Sequence, residues 1–156
     1  SDIKIHKDTI RVYNIHLASN YFSKKNIEFM NSPHFDKETI QQGLIGISRR
    51  LKQSFENRGY EVDEIKKHIK NSPYPTIICG DFNDTPVSYA YQELSNEKHD
   101  AFIKSGNGIG STYFKIPGLR IDYILYSQSL ESKNFITYEE ELSDHKAISS
   151  TIFKEY

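Results

Sequence analysis

Apolar positions fall into two kinds of period along this chain. Residues 3–6 and 10–17 alternate or run apolar, with Lys7 and Asp8 between them, the pattern of a hairpin. Residues 18–33 are polar and aromatic and read as a long loop. From Asp36 the period lengthens. Ile40, Leu44, Ile47, Leu51, Phe55, Val62, Ile65 and Ile69 recur at helical spacings, and the phase survives Gly59. The spacing predicts one long helix, with a local break at Gly59 as the alternative, capped by Asp36 and stopped by Asn71-Ser72-Pro73. Its ridge has one polar slot, Arg58, whose long stem can lie along apolar surface.

Beyond that helix, residues 76–79 form a short apolar run of the kind buried on both faces of a sheet. Thr85-Pro86 predicts a cap and first helical position, with a helix to about Leu94. Residues 111–115, 120–126, 133–139 and 147–153 read as strands. The order β-β-α-β-α-β-β-β-β implies an α/β fold (α+β by some schemes), a mixed β-sheet with helices on one face.

At 156 residues the chain suits a single domain. No apolar run is long enough to span a bilayer and no signal peptide is expected. The reading is therefore a soluble domain, either cytoplasmic or tethered through a segment upstream. One cysteine, Cys79, excludes an internal disulfide and a cysteine-built zinc site; a buried, inert thiol is expected. A net charge of −1 argues against a large sequence-independent grip on nucleic acid. The basic groups at Arg49, Arg50 and Lys52 and at Lys66, Lys67 and Lys70 read as solvated helix faces. His6, His34, His68 and His99 read as solvated or structural.

Chemistry-bearing residues gather where apolar strands end: Asn14 and His16, Asp81 and Asn83, Asp122, and Asp144 and His145. Each alone has an ordinary explanation, since Asp81 suits a turn and His16 a structural role. As a set they supply the parts of metal-assisted hydrolysis. Asp81, Asn83 and Asp144 offer hard oxygens that suit Mg²⁺ or Mn²⁺. Asp122, inside RIDYIL, is costly to bury unpaired, and a histidine partner explains it.

These motifs are NIHL at 14–17, GDFN at 80–83, RIDYIL at 120–125 and SDH at 143–145. With them the chain resembles the C-terminal half of the endonuclease/exonuclease/phosphatase superfamily, which has the deoxyribonuclease-I-like fold, a four-layer sandwich of two facing sheets between helices. The resemblance implies a divalent-metal-dependent phosphoesterase that attacks a phosphodiester or phosphomonoester with an activated water. It implies that His145 contacts the phosphate and moves a proton, with Asp122 orienting it. Asp81 aligns the water or helps hold metal, and Asp144 is a metal ligand. Asn83 steadies the phosphate, and His16 and Asn14 complete the contacts to substrate. Between Asp81 and His145 as proton carrier the sequence does not choose.

One departure matters. The family's first half supplies a metal-binding glutamate and an asparagine, whereas the 13 residues before Asn14 hold neither residue type. The chain is therefore expected to be half of the fold, with little activity of its own. Its bare sheet face is expected to pair with the missing N-terminal half or with another copy. The substrate stays open among nucleic acid, a phospholipid headgroup and a sugar phosphate, with the neutral charge favouring the smaller esters. Tyr21, Phe22, Phe29 and Met30, after His16, either line a substrate cleft or pack on the surface. The reading from another class is a non-catalytic binding or scaffold domain that keeps these residues as structural pairs.

Overall fold

A computed structural model describes residues 1–19 and 37–154. Strands β1 (Asp2–Ile5) and β2 (Asp8–His16) form the expected hairpin, turning at His6, whose φ is 53°. Helix α1 (Lys37–Lys70) follows, then β3 (Thr76–Asp81), α2 (Tyr89–Ser95), β4 (Lys98–Asp100), α3 (Ala101–Ser105), β5 (Asp122–Ser127), β6 (Glu131–Thr137) and β7 (Ile148–Phe153). The main sheet has the order β1-β2-β3-β5-β4, and β6 and β7 pair apart from it. The β2–β3 pair is parallel, which the long crossover helix α1 permits, and the other pairs are antiparallel. The fold is the expected mixed α/β sheet.

Alternation along the strands gives the sheet two faces. One carries Tyr13, Ile15, Ile78, Tyr123 and Leu125, with Leu17 and Phe82 just past the strand ends. Val62, Ile65 and Ile69 of α1 and Ala90, Tyr91 and Leu94 of α2 cover it. The other carries Ile10, Ile77, Ile124 and Tyr126, against which Ala101, Leu130, Phe135 and Ile152 pack from α3 and the β6–β7 side. This second face is only partly covered. Between it and the β6–β7 side lies a cleft of about 1000 Å³, lined in part by Val12, Asn14, Cys79, Asp122, Ile124 and His145.

Helix α1 runs unbroken through Gly59. Asp36 and loop residues 20–36 lie outside the described residues, as do His34 and the side chains of Ile40, Leu44 and Ile47. Within the rest of the ridge two positions depart from the expected pattern. Phe55 is half exposed, and Arg58 is buried to its guanidinium, not merely along its stem. The guanidinium meets the Asp84 carboxylate at 2.9 Å and lies 4.9 Å from the Phe55 ring centre.

Helix α2 begins later than Thr85-Pro86 suggests. Ser88 is its cap, with Oγ accepting from Tyr91 N at 3.2 Å, while Thr85 closes a turn by accepting from Ser88 N. Residues 111–115 make no strand; only Tyr113 bridges, to His145. Elements β4 and α3 had no clear signal in the sequence. Asp100 caps α3, accepting from Phe102 N, and also pairs with the buried Arg120 at 2.7 Å. No helix among the described residues is long and apolar enough to cross a membrane.

Candidate functional site

Strand register builds the site. His16 stands opposite Asp81 across the β2–β3 pair, and Asp81 stands opposite Asp122 across the β3–β5 pair. Neighbouring strands lie about 4.8 Å apart, so three adjacent residues of one row put an imidazole and two carboxylates side by side on the partly covered face. His145 arrives from a separate segment. Phe114 N donates to Asp144 O at 3.0 Å and Lys146 N to Thr112 O at 2.7 Å, which holds residues 144–146 against 112–114. The Tyr113 ring meets the His145 ring edge-on at 5.1 Å.

The imidazole of His145 then lies with Nδ1 3.0 Å from Asp122 Oδ2. Its Nε2 faces Asp81 Oδ2 at 3.8 Å, and His16 Nε2 faces that same oxygen from 3.6 Å. Asp122 is fixed in turn: Thr112 Oγ1 accepts from the backbone N–H groups of both Ile121 and Asp122. Asp81 Oδ1 accepts from Asn83 N at 2.7 Å, leaving Oδ2 turned to the imidazoles.

Like charges placed opposite one another repel. Burial first, and then the Asp122 charge, push the Asp81 carboxyl above the ordinary range, against the Asn83 hydrogen bond. For His145, burial works against the imidazolium. The hydrogen bond to Asp122 and the charges of Asp122, Asp81 and Asp144 together outweigh it, so its titration is raised. Removing the nearest charge has a definite sign. In the metal-free protein Asp122→Asn is expected to move the His145 midpoint down, followed by imidazole NMR across a pH titration. An unmoved or raised midpoint would show that Asp122 does not hold the proton there.

Among the described residues, donor atoms of Asp81, Asp122 and His145 lie within 4.8 Å of one another, a set able to hold a metal ion. Two of its members offer carboxylate oxygens and the third an imidazole nitrogen. Asp144 is not brought to this group. Its carboxylate pairs with Lys115 at 2.9 Å, which holds its pKa below the usual carboxylate range. Asn83, at φ 51°, turns its amide toward β2 and donates to Leu17 O at 2.9 Å. Asn14 stands exposed on the cleft lining, two residues before His16 on the same face. Cys79 is half buried, with its thiol pushed up by burial and 3.5 Å from Tyr13 O. Outside the site, His68 Nδ1 meets the Tyr13 hydroxyl at 2.9 Å and His99 lies against Tyr126.

Sequence reasoning did not find Thr112, Tyr113, Lys115 or Asp84, nor the guanidinium role of Arg58. These groups act through backbone contacts and through residues distant in sequence, so no local motif marks them.

The fold and the site define an α/β protein with an acid–imidazole centre at its strand ends. The chain belongs to the endonuclease/exonuclease/phosphatase family, whose model matches residues 21–145. Members of that family are hydrolases of phosphoester bonds and are generally metal-dependent. Asn14 and His16 precede the matched residues. Several solved structures share the fold. A beta toxin from Staphylococcus aureus is 15% identical with a TM-score of 0.58, over 96% of this chain and 55% of its own. An endonuclease/exonuclease/phosphatase family protein from Leptotrichia buccalis is 22% identical with a TM-score of 0.51, over 97% and 52%. An endonuclease/exonuclease/phosphatase from Bacteroides vulgatus is 24% identical with a TM-score of 0.53, over 64% and 45%. The chain thus spans about half the length of the solved structures it matches.

Proposed function

We propose that the full-length protein is a divalent-metal-dependent phosphoesterase and that this chain is the C-terminal half of its catalytic domain. The observation that carries the reading is the row His16–Asp81–Asp122, closed by His145 on Asp122 and Asp81. Asp122 holds Nδ1 of His145, so Nε2 is the atom presented to a phosphate oxygen. Asp81 Oδ2, turned to both imidazoles, aligns the attacking water and takes its proton. His16 and Asn14 contact the phosphate or its leaving group, and the second amide hydrogen of Asn83 adds a donor. Mg²⁺ or Mn²⁺ held by Asp81 would supply charge neutralisation at the phosphate. Asp144 joins as a ligand only by leaving Lys115.

The near-neutral net charge of −1 favours a small phosphate ester, such as a sugar phosphate or a phospholipid headgroup, over nucleic acid. The test is hydrolysis of phosphodiester and phosphomonoester substrates by the full-length protein with and without Mg²⁺. Absence of any metal-stimulated turnover would overturn the reading. One observation favours a second reading, a non-catalytic scaffold of the same fold: the engagement of Asp144 by Lys115. Absence of Mg²⁺ binding by calorimetry would support it.

The partly covered sheet face bears on partners. Val12, Ile77, Cys79 and Ile124 line its cleft, and Leu142 at the cleft edge is 94% exposed. A face of this kind is covered by another sheet in a sandwich. The upstream half of the domain is the proposed occupant, with a second copy taking its place when residues 1–156 are made alone. Light scattering on that piece is expected to give a mass above 18.1 kDa. A stable monomer would sink the pairing.

A further inference from the structure

Helix α1 gives an apolar slot to Arg58, whose side chain is 1% exposed. A buried guanidinium is expensive, and an apolar side chain such as methionine would carry no such desolvation cost. What the guanidinium holds is specific. Nε donates to Asp84 Oδ2 at 2.9 Å, and one terminal nitrogen donates to Ala18 O at 2.8 Å. Ala18 lies two residues after His16, and Asp84 three after Asp81. One side chain therefore ties together the exits of the two strands that carry the site's exposed imidazole and its central acid.

The neighbours of Arg58 on the helix do related work. Ser54 and Glu61 lie on the same stripe, four before and three after it. Ser54 Oγ donates to Ser19 O at 3.1 Å, and Glu61 Oε2 accepts from Ala18 N at 2.8 Å. From the other side Asn83 Nδ2 donates to Leu17 O, and Leu17 N donates to Asp81 O at 3.0 Å. The backbone just after His16 is gripped from helix and loop alike. The His16 side chain is 73% exposed, so packing of its own ring does not hold it. Its placement beside Asp81 comes from the main chain around it.

We propose that Arg58 is a positioning residue that locks the His16–Asp81 spacing by clamping Ala18 and Asp84. This rests on the phosphoesterase reading for its kinetic consequence, but not for its structural one. Three variants of the full-length protein test it: Arg58→Lys, Arg58→Met, and Arg58→Met with Asp84→Leu. The double variant removes both buried charges together, which often leaves stability near wild type, yet it cannot restore the bond to Ala18 O. Melting temperature, kcat and KM on a phosphate ester, and the ¹H–¹⁵N imidazole signals of His16 and His145 are measured.

For the double variant the expected result is wild-type melting with kcat lowered by about tenfold or more and KM within about twofold, as misplacement by roughly an ångström produces. The His16 signals move, while those of His145, held by Asp122 and residues 112–114, do not. Arg58→Lys recovers part of kcat, because a lysine ammonium reaches one of the two acceptors. A stable double variant with wild-type kcat and unmoved His16 signals overturns the proposal. If the wild-type protein hydrolyses no phosphate ester, the phosphoesterase reading fails and the His16 signals alone decide this one. If the double variant does not fold, Arg58→Met carries the same comparison, with unmoved His16 signals again overturning it.

Discussion

His145→Ala in the full-length protein is expected to lower kcat for phosphate-ester hydrolysis by roughly 10² to 10⁴, and Asp81→Ala by a similar factor. Neither side chain belongs to an apolar cluster, so both variants are expected to fold, with His145→Ala melting lower because it leaves Asp122 without its partner. The pairing of His145 with Asp122 makes a sharper demand. At 3.0 Å the two side chains act as one unit, and residues that act as a unit are not additive. Asp122→Ala in the His145→Ala background is expected to cost little beyond His145→Ala alone. Steady-state kinetics on the four proteins of that cycle, with circular dichroism to confirm folding, reads the outcome. Wild-type rates in both His145→Ala and Asp81→Ala would remove the catalytic assignment. Full additivity would keep His145 and remove Asp122 as its orienting partner.

The long helix and the strands other than the one expected at 111–115 were legible because their apolar patterns are clear and the helix has a strong stop at Asn71-Ser72-Pro73. Elements β4 and α3 were not. They occupy eight residues, 98–105, that show neither period for long enough, and tertiary contacts of Asp100 and Ala101 settle them. The site divides in the same way. His16, Asp81 and Asp122 were each visible as strand-end polar groups, but their alignment in one row is a matter of register, which no local motif encodes. Asp144 shows how adjacency misleads. It precedes His145 in a bend, and only His145 bridges to Tyr113. His145 turns to Asp122 while Asp144 turns to Lys115. Arg58 broke the apolar ridge of α1 by one position, and the reason lies in Ala18 and Asp84, 40 and 26 residues away in sequence.

Gly80→Ala tests the geometry beneath the site. Gly80 has φ +139°, a conformation that side-chain-bearing residues rarely adopt. An added Cβ would stand 1.9 Å from Ile15 O and 2.9 Å from Ile15 C, both backbone atoms of the paired strand. Backbone cannot step aside as a flexible side chain can, so β2 and β3 must separate or the register must slip. Either change pulls His16 from Asp81, since each is the next residue along its strand. The expected cost is roughly 3 kcal/mol or more, read as a fall in the urea midpoint of the full-length protein. Gly108 is the control. It also has positive φ, +76°, but an added Cβ meets nothing within 4 Å, so Gly108→Ala carries only the conformational cost of about 1 kcal/mol. Equal costs at the two positions would show that φ alone governs both, and the close approach of Gly80 to Ile15 would lose its role. A large excess at Gly80 would mean that the glycine of GDFN is required by strand contact, and that the polar residues after it depend on that contact for their place.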